Sequence, residues 1–163
     1  MPVVLRHHHK LELNRVEYEG AITVAELRAL ADFQAASPTW LTYDSLNLVL
    51  PGANFDSIEL AKLDALYDHY KKLFAPLNFV ILRRSAWICQ SPAAVAHVDH
   101  WLGGRDTKAG MSSDVRWFDT FAEAGEWLVL NPAAAASLQS GEGFVDIFRL
   151  TASAPARPAE AHA

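Results

Sequence analysis

Residues 114–130, DVRWFDTFAEAGEWLVL, join a strand to a helix with almost no spacer. Asp114 to Phe118 reads as a short strand, which Asp119 and Thr120 stop. Thr120 and Glu123 stand at the T-x-x-E spacing of a capping box. The threonine oxygen can accept from the amide at the third helical position, and the glutamate can reach back. Phe121, Ala124 and Leu128 then fall on one face, with Trp127 beside them. A strand feeding straight into a capped helix is an α/β unit.

The pattern recurs upstream. Residues 3–20 read as two strands: Val3, Leu5, Leu11 and Leu13 share one parity, Val16 and Tyr18 the other. The switch predicts a hairpin turn or a bulge at Asn14-Arg15. Gly20 closes the second strand, and Thr23 with Glu26 opens a helix over 24–36 with Leu27, Leu30 and Ala31 inward. Ser37-Pro38 ends it. Leu41 to Leu50 reads as a strand and Pro51-Gly52 as a turn. Asp56 and Glu59 form a third capping pair before a long amphipathic helix, Ser57 to Phe74, stopped by Pro76. Phe79–Leu82 and Ala86–Cys89 are strand pieces; Ser91-Pro92 starts a helix that carries Val95, Val98 and Leu102 and ends at Gly103-Gly104. A loop over 105–113 leads to the opening stretch.

Strands alternating with helices of this length predict a parallel or mixed sheet with helical layers and right-handed crossovers. Residues 1–130 form the α/β domain, and 131–150 are a C-terminal extension. There Ala133–Ala136 can form helix, and GFVDIFRL (143–150) reads as an added strand or a docking segment. Residues 151–163, rich in Ala and Pro, read as a disordered tail.

Bulk properties narrow the function. A length of 163 residues is one domain by the usual prior. A formal charge of −5 argues against nucleic-acid binding, which needs clustered Lys and Arg. Cys89 is the sole cysteine, so no intrachain disulfide forms, and its apolar neighbours make it a small hydrophobe rather than a nucleophile. No N-terminal apolar region stands out and no apolar run reaches the ~18 residues of a membrane span. A cytoplasmic protein is therefore expected. There is no P-loop, G-x-S-x-G elbow or G-x-G-x-x-G, so neither catalysis nor a cofactor is expected.

Four stretches in order resemble the bacterial STAS-like, or SpoIIAA-like, group, named for an anti-sigma-factor antagonist. They are GAITVAEL (20–27); LTYDSLNLVL with FDSIELAKL (41–50 and 55–63); RRSAWICQS (83–91); and VRWFDTFAEAGEWL (115–128). The resemblance implies an α/β fold with a SpoIIAA-like (STAS-like) mixed sheet of four to five strands flanked by about four helices, often dimeric. It further implies a non-catalytic module that binds a protein partner and is phosphorylated on a serine of a D-S-S-G motif. The matching place is Asp56-Ser57-Ile58-Glu59, where Asp56 and Ser57 agree and the last two positions differ. The same fold resembles that of lipid-binding domains that hold an apolar ligand between helix and sheet, which makes a small-molecule carrier the alternative.

Other candidates come from the residues themselves. Phosphate on Ser57 would be favoured at a helix N-terminus. His97 and His100, at i and i+3, can face one metal, with His7 and His9 as further donors; that set would suit a metal-dependent hydrolase. Asp44 at the C-terminal edge of a parallel strand would line the ligand crevice of an α/β sheet and pair with Asp56. Trp101, at the edge of its helix's apolar face, is a candidate interface residue for a partner or second copy.

Overall fold

The computed structural model describes residues 2–78, 82–103 and 113–150. Strands β1 (Val3–His8) and β2 (Leu13–Tyr18) form an antiparallel hairpin with His8 opposite Leu13. The turn therefore occupies residues 9–12, where Glu12 takes a φ of 51°, and not Asn14-Arg15. The change of parity has another cause. β2 is buried on both faces: Leu13 packs with one core cluster, Val16 and Tyr18 with the other.

The rest of the chain adds strands in one direction. Helix α1 (Val24–Ala36) leads through a 3-10 turn at Pro38–Thr42 to β3 (Asp44–Val49), so Leu41 lies ahead of the strand. Helix α2 (Leu60–Phe74) leads to β4 (Arg83–Cys89), and α3 (Val95–Leu102) to β5 (Ser113–Trp117). β2, β3, β4 and β5 are parallel neighbours. Right-handed crossovers between strands laid down in that order keep α1, α2 and α3 on one face. Helices α4 (Phe121–Trp127) and α5 (Pro132–Ser140) cover the other face through Ala124, Leu128 and Leu138. The chain then places β6 (Phe144–Leu150) antiparallel to β1.

The sheet thus has six strands in the order β5-β4-β3-β2-β1-β6 and five α-helices among the described residues. The four to five strands expected fall short because residues 131–150 supply an edge strand of the same sheet. Leu138 is fully buried, so this segment is part of the domain and no appendage. All but Leu82 of the strand piece expected at Phe79–Leu82, most of the 105–113 loop and the 151–163 tail lie outside the described residues, and Leu82 itself precedes β4. No described helix is long and apolar enough to cross a membrane.

Local capping explains which helices begin where expected. Thr23 Oγ1 accepts from the Glu26 amide at 3.3 Å, and Glu26 accepts from the Thr23 amide at 3.2 Å, completing the box. Thr120 accepts from the Glu123 amide at 3.2 Å, while its hydroxyl donates to the Glu123 carboxylate at 3.0 Å. Asp56 does not cap. α2 starts at Leu60 behind Glu59, which makes no side-chain cap bond. Phe55 and Ile58 are both buried, and a turn closed by the Ile58 amide on the Phe55 carbonyl at 2.8 Å buries them together. Thr23→Ala is expected to lower stability by about 1 kcal/mol. Asp56→Ala should change it by less than about 0.5 kcal/mol. Urea unfolding of the two variants checks this; equal losses would restore Asp56 as a cap.

Candidate functional site

A strand covered on both faces is normally apolar throughout. β3 and β4 depart from this on the face beneath α1–α3. Register sets Asn14 beside Ser45, Ser45 beside Ser85, and Arg83 beside Ser113. One step along, Val16, Asn47 and Trp87 lie side by side. The floor is therefore polar at the N-terminal ends of the strands and increasingly apolar towards Tyr18 and Trp87.

Above this floor the helices present leucines: Leu27 and Leu30 from α1, Leu63 and Leu66 from α2. Val98 and Trp101 of α3 close the side over β4 and β5. Short serines and asparagines under a leucine layer do not fill the space that paired aliphatic side chains would. A cavity of about 130 Å³ remains, some ten times the ~10–15 Å³ that admits one water. The lining residues Gln34, Tyr43, Ser45 and Arg83 are half-buried and Arg84 is exposed, so the cavity reaches solvent at the N-terminal ends of β3 and β4.

The polar floor is wired together. Tyr18 Oη donates to Asn47 Oδ1 at 3.2 Å, and Asn47 Nδ2 donates to Ser85 Oγ at 2.9 Å. The Ser45 and Ser85 hydroxyls share a bond at 3.2 Å. Asn14 Nδ2 donates to the Trp40 carbonyl at 2.6 Å, fastening the 3-10 turn to the rim. Burial pushes the phenols of Tyr18 and Tyr70 well above their ordinary range, so both remain neutral hydroxyls. Arg83 Nη2 donates to Ser113 Oγ at 2.8 Å. Burial lowers the Arg83 pKa to about 10, with the charge of Asp44 opposing, so the guanidinium is still cationic at neutral pH.

The residues singled out by the sequence fall in different places. Asp44 opens β3, so it sits at the N-terminal end of that strand, where it accepts from the Arg84 amide at 2.8 Å. Asp56 follows the opposite end of β3, and the two carboxylates form no pair. Ser57 is exposed, three residues ahead of α2, and donates to the Ile22 carbonyl at 3.4 Å; it is not at a helix N-terminus.

The four histidines do not assemble. His97 Nε2 donates to the Ile58 carbonyl at 2.7 Å, and His100 Nε2 meets Asp64 at 3.0 Å. His7 is buried, donating from Nδ1 to Asn14 Oδ1 at 2.8 Å, with His9 edge-on to it at 6.3 Å between ring centres. No group of three or more His, Cys, Asp or Glu among the described residues could hold a metal ion. Trp101 is half-buried, edge-on to Tyr67 and Tyr70 at 6.1 and 5.8 Å, and its place is the cavity wall. Cys89 is half-buried, its thiol donates to the Ser91 carbonyl at 3.3 Å, and burial pushes its pKa up.

Sequence reasoning missed the floor residues Asn14, Ser45, Asn47, Arg83 and Ser85. Their signal was present: polar residues at alternate positions of two central strands, where a solid core would be apolar. No protein-family model, curated protein or solved structure matches this chain.

Proposed function

We propose that this protein is a non-catalytic carrier or sensor of a small, largely apolar molecule held between the sheet and helices α1–α3. The observation that supports this most is the cavity itself: about 130 Å³, leucine-roofed, with a few convergent polar groups on its floor. That is the usual composition of a small-molecule site. The resemblance to the STAS-like group, with its likeness to lipid-binding domains, points the same way.

A protein-interaction role keeps one observation in its favour. Asp56 and Ser57 stand exposed on the loop before α2, open to a partner or a kinase.

Intact mass of the protein from its own host, recorded native and denatured, separates these readings. A molecule released on denaturation, and recovered in organic extract, is the expected result. Phosphate-sized mass that survives denaturation and maps to Ser57 would favour the switch instead. A bare chain in both spectra, with no fluorescence response of Trp87 or Trp101 to any added amphiphile, would overturn the carrier.

A further inference from the structure

The hydrogen bonds of the cavity floor run one acceptor short. We propose that the molecule held there is a single ring carrying one uncharged oxygen. The oxygen accepts from the Ser45–Ser85 hydroxyl pair, and the ring lies between Tyr18 and Trp87 on the floor and the leucines of α1 and α2. This assignment rests on the carrier reading above.

The oxygen follows from a count of protons. Tyr18 Oη donates to Asn47 Oδ1, and Asn47 Nδ2 donates to Ser85 Oγ. The hydroxyls of Ser45 and Ser85 carry two protons but share one bond. Whichever way that bond runs, one proton is left, and neither serine has a further acceptor among the described residues. Both serines line the cavity and both are half-buried, so that proton is within reach of an occupant. An ether, carbonyl or hydroxyl oxygen completes the row of bonds that starts at Tyr18.

Size and shape select the ring. The volume of about 130 Å³ is close to the ~150 Å³ of an apolar protein cavity that takes up benzene. Tyr18 and Trp87 are stacked, with 5.6 Å between ring centres and 16° between planes. Tyr70 and Trp101 line the cavity from α2 and α3. A flat ring meets such walls offset or edge-on. A flexible chain folded into the same volume would lose more rotamer freedom on binding. Charge is disfavoured, because an ion would leave water for a leucine-roofed space. The arginines at the mouth are already engaged. Arg84 donates to the Trp127 carbonyl at 3.2 Å, and Arg83 donates to Ser113 and feels the charge of Asp44.

Calorimetric titration of the full chain, freed of any co-purified molecule, with benzyl alcohol, ethylbenzene and benzoate tests this. The three share a ring and differ in the group it carries. Benzyl alcohol should bind at least as tightly as ethylbenzene, although water holds the alcohol back, because ethylbenzene leaves the serine proton without an acceptor. Benzoate should bind at least about tenfold more weakly than benzyl alcohol. The paired variant Ser45→Ala/Ser85→Ala removes both hydroxyl protons. It should weaken benzyl alcohol about fivefold and leave ethylbenzene unchanged or tighter. Should that variant fail to fold, the ranking on the unaltered chain still reads the head group. Ethylbenzene bound over about tenfold tighter than benzyl alcohol, benzoate bound tightest, or a folded paired variant with undiminished affinity for benzyl alcohol overturns the uncharged oxygen. Uptake of octanol with none of the ring compounds overturns the ring and leaves the carrier reading standing. Binding of none of the four overturns both.

Discussion

Leu30→Trp is expected to abolish ligand uptake while the fold persists. Leu30 is 2% exposed on α1 and forms part of the cavity roof. An indole there would extend into the space a ligand needs. In a packed core such an insertion costs about 1–3 kcal/mol, but the cavity accepts the added atoms, so a loss below about 1.5 kcal/mol is expected. Affinity for a molecule recovered from the native protein should fall by well over tenfold, about 1.4 kcal/mol or more. Calorimetry with a parallel urea curve checks both numbers. Unchanged affinity in a folded Leu30→Trp protein would mean that the ligand binds elsewhere.

The second large effect concerns the opposite side of the sheet. Glu17 bridges two arginines: its carboxylate lies 2.9 Å from Arg6 Nε and 3.2 Å from Arg15 Nη2. The Arg15 side chain is only 6% exposed and Glu17 only 12%, so this is no surface pair. Arg15 Nη1 also donates to the Leu138 carbonyl at 3.1 Å, capping the C-terminal end of α5. The same guanidinium would stand 2.8 Å from a Cβ at Gly141, whose φ of +79° is itself the left-handed region that favours glycine. Burial lowers the Arg15 pKa and Glu17 opposes that shift. Glu17→Gln removes the opposing charge and leaves a buried cation uncompensated, an expected loss of about 3 kcal/mol. Set against a total of roughly 5–15 kcal/mol, this should be plain in a urea midpoint. Replacing Arg15 and Glu17 together by methionine should recover much of it, since the buried cation is then gone and Arg6 keeps Asp146 at 3.2 Å. A loss below about 0.5 kcal/mol for Glu17→Gln would reduce the cluster to an ordinary surface pair.

These two sites mark where the sequence was easy and hard to read. Signals that act within one turn were legible. The Thr23 and Thr120 caps fix two helix starts, and Leu27, Leu30 and Ala31 face inward as their spacing requires. Asp56 carried the same local signal, but burial of Phe55 and Ile58 in a preceding turn outweighed it. The hairpin turn was misplaced because β2 is buried on both faces, so its apolar parity says nothing about where the chain reverses. The cavity was missed for a different reason. Ser45, Asn47 and Ser85 do stand out as alternate polar positions, but only the sheet order shows that they share one face beneath the helices. Arg15 reads as part of the hairpin turn, whereas its guanidinium reaches Glu17 and the end of α5.

The pairing of β6 with β1 bears on how the chain is made. Val3 lies opposite Leu150, and the two strands face each other along their whole length. All of β2–β5 is synthesised between them. A nascent chain on the ribosome therefore carries β1 with one bare edge until β6 emerges. The ladder that covers that edge joins residues far apart in sequence, the class of contact that forms late and slowly. Until then the β1 edge is a template for strands of other chains. Early release of the chain, before residues 144–150 have emerged, would leave that edge bare.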